Sequence, residues 1–257
     1  MTKKGSAALA PLERLRQKGF DVVLMHHAEA ILTHDMPTAL EDIASVLDTF
    51  SIPLEDLIRG GGGEADSTQR IRRKLTELGW TKHEFVVEKV VDKVPTQSHS
   101  HLVDHVKRFP TKEPERPCTF ALEIEWNNKD PFFDRDLENF KRLHAEGAIS
   151  VGGIITRGRS LQDALREMVG SFAEQRGFRS SNDLNAYYTP TPRQQNIYKK
   201  RELATGSFAR GWADAFVADK FGEATTHWRK LEERIARRVG NPCPLLLIGM
   251  PAATIAR

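Results

Sequence analysis

Cysteine is scarce in this chain. Its two copies, Cys118 and Cys243, are far apart in sequence and each lies in an apolar run. No pair has metal-ligand spacing and no disulfide framework can be drawn, so both read as buried thiols. Long apolar runs are also missing. None approaches 18 residues, which excludes a membrane-spanning helix, and no apolar leader follows MTKKGSAALAP. A cytoplasmic protein is expected. There is no internal repeat, no low-complexity tract and no large charge excess. The net charge of +3 and pI near 8.8 permit a nucleic-acid partner without requiring one. What is present is ample material for a core. With 257 residues, 39% of them hydrophobic, the chain suits one large domain or one domain with an elaboration.

The first third reads as helix. DVVLMHHAEAILTHD and MPTALEDIASVLDTF carry apolar residues at three- and four-residue spacing, with Pro37 suited to a first turn. PLEDLIR is a short helix ending at Gly60. The glycines of GGGGEADSTQR dictate a loop; Asp66 or Ser67 is placed to cap the following helix, whose stripe is Ile71, Leu75 and Leu78. The period then changes. HEFVVEKVVDKV reads as a strand, a turn falls around Pro95, and SHLVDHVKRF alternates as a second strand. CTFALEIEW is a strand, DRDLENFKRLHAEG a helix, AISVGGIITRG a strand and SLQDALREMVGSFAEQ a helix that Ser160 can cap. Residues 177–210 form a polar, basic, partly helical excursion. EATTHWRKLEERIARRVGN is a last helix and CPLLLIGM a closing strand. The order predicts an α/β protein, a mixed sheet flanked by helices, with a helical region over 1–60 packed on a core of 61–257.

The unusual feature is a pair of acids in a core strand. Residues two apart share a face of a strand, so Glu123 and Glu125 point one way while Leu122 and Ile124 point the other. Asp104 lies on the preceding strand. If the two strands are neighbours, three carboxylates converge. Unpaired, they would repel and raise one another's pKa; a hard divalent cation such as Mg²⁺ relieves this because it prefers oxygen ligands. The alternative is surface charge paired with Lys107, Lys129 or Arg135. His99, His101 and His105 flank Asp104; a histidine base is conceivable there, but satisfied or exposed histidines are the plainer reading.

Asp104 followed by Glu123-x-Glu125 resembles the PD-(D/E)xK nuclease motif in the variant form of BamHI- and BglII-type restriction endonucleases. The runs SHLVDHVK, ALEIEWNNKDPFFDRDLENFKRLH, ISVGGIITRG, GGGGEADSTQRIRRKL and THWRKLEERIARRVGNPCPLLLIGM are similar to a BglII-like group, between residues 60 and 250. Residues 1–55 carry no recognised motif. Glu125 stands where most of the superfamily has lysine. The resemblance implies Asp104 and Glu123 as Mg²⁺ ligands and Glu125 as a further ligand or general base. Glu88, on the strand before Asp104, is a candidate fourth acid or else a surface glutamate. Lys129 could reach a phosphate or pair with Asp130 or Asp134.

The resemblance also implies double-stranded DNA as substrate, cut at a short palindrome by a homodimer to leave 5′-phosphates. Candidate DNA contacts are Gly61, Gly62, Gly63, Thr68, Gln69, Arg70 and Arg73 in the glycine loop and the helix after it. A second set is Arg193, Gln194, Gln195, Asn196, Lys199, Lys200 and Arg201 in RQQNIYKKR. THWRK is a further candidate, although Trp228 suits core packing better. Two competing readings are a repair-type nuclease of the same superfamily and a non-catalytic DNA-binding regulator. A pure binder gains nothing from gathering carboxylates where phosphates must approach.

Overall fold

The computed structural model describes residues 9–59, 65–111 and 117–256; Gly61, Gly62 and Gly63 lie outside the described residues. Its strands are β1 (Asp21–Met25), β2 (Ile52–Pro53), β3 (Thr81–Val91), β4 (Val94–Phe109), β5 (Cys118–Glu125), β6 (Val151–Arg157), β7 (Leu245–Met250) and β8 (Ile255–Ala256). Six of them form one mixed sheet in the order β1-β7-β6-β5-β4-β3; β2 and β8 form a separate parallel pair. β5, β6 and β7 run parallel, and β1, β4 and β3 are antiparallel to their neighbours. The α/β expectation is met.

Ten α-helices cover this sheet among the described residues: α1 (Ala10–Gln17), α2 (Ala28–His34), α3 (Pro37–Asp48), α4 (Leu54–Ile58), α5 (Asp66–Glu77), α6 (Pro131–Ala145), α7 (Arg159–Gln175), α8 (Pro192–Thr205), α9 (Phe208–Lys220) and α10 (Trp228–Ala236). The larger core lies on one face, where α1, α3, α5, α7 and α9 pack on Phe120, Leu122, Leu246 and Ile248. On the other face α6 and α10 pack on Ala121, Ile154, Leu245 and Leu247. Alternation within each strand divides its residues between the two cores. Since Ala121 faces α6, so do Glu123 and Glu125.

Several local expectations fail for identifiable reasons. DVVLM is not helical but forms β1, an edge strand paired with β7; His26 and His27, both at positive φ, turn the chain into α2. Segment 1–60 therefore contributes a strand to the main sheet. The β3–β4 turn is at Asp92 and Lys93, both left-handed as a type I′ hairpin requires, and Pro95 is already within β4. Neither expected cap forms. Ala65 and Gly158 occupy those positions, and the Ser160 hydroxyl instead accepts the Ala252 N–H. Cys243 is buried with its thiol pushed up to about 12 by desolvation, while Cys118 is only partly buried; neither is bridged.

Helix α6 sits close to the sheet because Gly152 of β6 offers no side chain beneath Phe140. A Cβ on Gly152 would fall 2.6 Å from the Phe140 ring. Gly152→Ala is therefore expected to destabilise the fold by about 1–3 kcal/mol, from overpacking. A lower urea midpoint at unchanged m-value would record it.

Candidate active site

Asp104, Glu123 and Glu125 come together where β4 and β5 face α6. The register that pairs His105 with Leu122 sets Asp104 beside Glu123. A bulge adjusts β4 here: two steps along β3, Thr81 to His83, oppose three along β4, Val106 to Val103. As a result Val103 and Val106, three apart, both pack in the α6-side core. Beyond the bulge, His101 reaches Asn139 of α6.

The sequence reading missed one member of the group. Asp136, on α6, is fully buried and falls within the stripe Phe133, Leu137, Phe140 and Leu143. That position was the available signal: an acid three residues after one core phenylalanine and four before the next.

Glu123 and Glu125 are 5% and 3% exposed, so they are core carboxylates rather than surface charge. Burial, then the charges of Asp136, Asp104 and Glu125, push Glu123 up to about 9. Glu125 is pushed up to about 8 by burial and by its hydrogen-bonded neighbour Asp136. Asp136 is raised by burial as well. A hydrogen bond between two carboxyls needs a proton on one of them, so the metal-free site relieves its charge by protonation.

Cations balance the cluster only in part. Arg135 Nη2 lies 2.8 Å from Asp136 and 3.4 Å from Glu125, with its guanidinium over the Phe132 ring. Asn128 donates to Glu125 at 2.6 Å. Asp104, half-exposed, pairs with Lys82 at 2.9 Å. No cation pairs with Glu123 among the described residues. Asp136 Oδ2 and His101 Nε2 are buried without a partner. Ligand atoms of His101, Glu123 and Asp136 lie within 4.8 Å of one another. Buried carboxylates, too few cations and orphaned donor atoms fit a divalent cation, which the family resemblance also implies.

The loop after β5 is fixed from behind by Arg157, at the end of β6 and fully buried. Its guanidinium donates to Trp126 O at 2.8 Å, Thr226 O at 2.7 Å, Gln162 Oε1 at 2.7 Å and Thr225 Oγ1 at 2.6 Å. Backbone bonds from Thr226 N to Asn128 O and from Asp130 N to Ala224 O tie the two loops together. Arg234 of α10 holds Asp130 and Asp134. Asn128 is thereby positioned to hold Glu125.

Other candidates fall elsewhere. Glu88 is exposed on the β3–β4 ribbon opposite Ser98, lining a cavity of about 660 Å³ that His101 and Asn139 also line; it is not brought into the carboxylate cluster. His105 is buried with Nδ1 3.2 Å from Leu122 O and Nε2 without a partner, so it is only half satisfied, and desolvation lowers it to about 4. His99 is exposed on the ribbon. Trp228 is core, as expected. Lys129 is exposed on the fixed loop and bridges to Thr225 through its backbone.

Thr68, Gln69, Arg70 and Arg73 lie on α5, where Arg70 is held by Asp56 at 2.8 Å. On α8, Arg193, Asn196, Lys199, Lys200 and Arg201 are exposed. The two glutamines there have structural work. Gln194 completes the capping box with Thr191, and Gln195 donates to Pro190 O.

The family model for restriction endonuclease BglII/BglIII matches residues 20–250. The chain belongs to this family. It is a type II restriction endonuclease, a site-specific deoxyribonuclease acting on double-stranded DNA, and the regulator and repair-nuclease readings give way to that. The match also takes in residues 20–55, where the sequence carried no recognised motif; these supply β1. Comparison with curated proteins finds no match to the chain. Among the described residues no helix is long and apolar enough to cross a membrane.

Proposed function

We propose that this endonuclease is Mg²⁺-dependent, cuts a short palindrome as a homodimer, and leaves 5′-phosphate and 3′-hydroxyl ends. The observation that carries the reading is Glu123: a buried carboxylate surrounded by Asp104, Glu125 and Asp136, with no paired cation among the described residues. Asp104 and Glu123 hold the metal, with Glu125 as a further ligand or as the base. When bound, Mg²⁺ neutralises this charge and stabilises the charge that develops on the scissile phosphate. As base, Glu125 accepts the proton of the attacking water, held in place by Asn128. The water oxygen bonds to phosphorus, the bond to the 3′ oxygen breaks, and that oxygen takes a proton from solvent.

Residues 61–257 form the nuclease core, with 1–60 packed on it and lending β1 to its sheet. The glycine loop, α5, Lys129 and the exposed cations of α8, within the excursion at 177–210, contact DNA. A two-fold dimer presents identical sites to antiparallel strands, which matches a palindrome.

The test is digestion of long unmethylated DNA with Mg²⁺ or with EDTA. Discrete fragments with Mg²⁺ alone, whose ends religate without added kinase and read as one palindrome, are expected. Equal cutting in EDTA, or ends that need a kinase, would contradict the reading.

A further inference from the structure

The carboxylate reading leaves one neighbour unused. His101 approaches Glu123 and Asp136 from β4, and it is the sole nitrogen donor in the group that could hold a cation among the described residues. Two features prepare it. Asn139 on α6 donates from Nδ2 to Nδ1 at 2.9 Å, which fixes the ring plane and turns Nε2 towards the acids. A half-turn of that amide presents its oxygen instead, which places the hydrogen on Nδ1 and frees the Nε2 lone pair for a cation. Nε2 is buried and has no partner in the protein, and the same is true of Oδ2 on the fully buried Asp136. Two residues that each carry an unpartnered atom, one on β4 and one on α6, thus belong to one group of ligand atoms within 4.8 Å of one another.

We propose that His101 Nε2, Glu123 and Asp136 form a mixed nitrogen–oxygen cation subsite beside the Asp104–Glu123–Glu125 carboxylates, one that favours a transition ion such as Mn²⁺ or Co²⁺ over Mg²⁺. The proposal rests on the reading of Glu123 as a metal ligand and adds to it a second set of donors. Ligand atoms about 2.1 Å from a common ion are at most ~4.2 Å apart. The 4.8 Å limit seen here needs only small side-chain rotations to meet that. Imidazole is a good donor to Mn²⁺ and a better one to Co²⁺, whereas Mg²⁺ keeps to oxygen ligands and retains several waters. Asn139 acts through the ring as a positioning residue, by the means common to histidines that ligate metals.

Binding of Mn²⁺ alone to the full-length enzyme, followed by electron paramagnetic resonance with electron spin-echo modulation, tests this without reference to cleavage. The expected result is ¹⁴N modulation from a directly bound imidazole in the wild type, lost in His101→Gln. That variant should also bind Mn²⁺ about 10- to 100-fold more weakly while its Mg²⁺ affinity changes far less. The wild-type spectrum is informative even if the variant does not fold. Mn²⁺ bound without ¹⁴N modulation overturns the subsite and leaves the carboxylate site standing. Modulation that persists in a folded His101→Gln also overturns it. No Mn²⁺ binding by the wild type overturns both readings.

Discussion

Glu123→Gln should make the metal-free endonuclease more stable and nearly inactive. Glu123 in the folded protein holds its proton up to about pH 9, well above its ordinary value of 4.5. Between those values the folded chain carries a proton that the unfolded chain has lost. Unfolding releases that proton, so stability falls as pH rises through the window. The penalty is absent below 4.5 and complete above about 9, and Glu125, raised to about 8, adds to it. Glutamine keeps the shape and removes the charge. In EDTA the variant should be more stable than wild type by about 1–4 kcal/mol at pH 9, and close to it at pH 5. Cleavage should fall by about 10²–10³-fold or more, the scale of losing one preorganised charge-stabilising group. Thermal unfolding at both pH values, with single-turnover cleavage, reads both effects. Equal stabilities at pH 9 would show that Glu123 is not strained by its neighbours.

Arg157→Met should cost about 3–5 kcal/mol of stability and loosen the site as well. Methionine fills much of the volume but offers no donors. It would strand the buried carbonyls of Trp126 and Thr226 and the part-buried side-chain oxygens of Gln162 and Thr225. Burial draws the guanidinium down to about 9, so it is still charged at neutral pH. Arg157→Lys should recover little, because a point ammonium cannot serve acceptors spread around a planar fork. Urea unfolding measures the first loss. A rise in KM or a fall in kcat under conditions where the variant is folded measures the second. A variant as stable as wild type would show that the clamp contributes nothing.

The sequence made the central strand and its acids legible because two signals agree there. Alternation in CTFALEIEW puts Glu123 and Glu125 on one face, and Asp104 lies a hairpin's length before them. Other parts were hidden by ambiguity in the local signal. DVVLM is a five-residue apolar run, and periodicity cannot separate a short strand from a buried helical turn. The left-handed pair His26–His27, which decides it, carries no glycine to announce a turn. Asp136 was masked by the charged residues around it, although its place in the Phe133–Phe140 stripe marks it as buried. The same applies to Gln194. Three residues after Thr191, it fits a capping box as well as a base contact, and only the backbone geometry chooses between them. His101 joined the cluster through a β-bulge, which no alternation pattern foretells.

The most direct test of the carboxylate cluster as the catalytic centre compares binding with cutting in Glu123→Gln and Asp136→Asn. The amides leave the metal-free site as uncharged as protonation does, so metal-free DNA binding at neutral pH should be intact, while Mg²⁺-supported cleavage is lost. Both variants binding DNA as wild type does, and cutting it within about threefold of the wild-type rate, a difference under 1 kcal/mol in the barrier, would place the chemistry elsewhere.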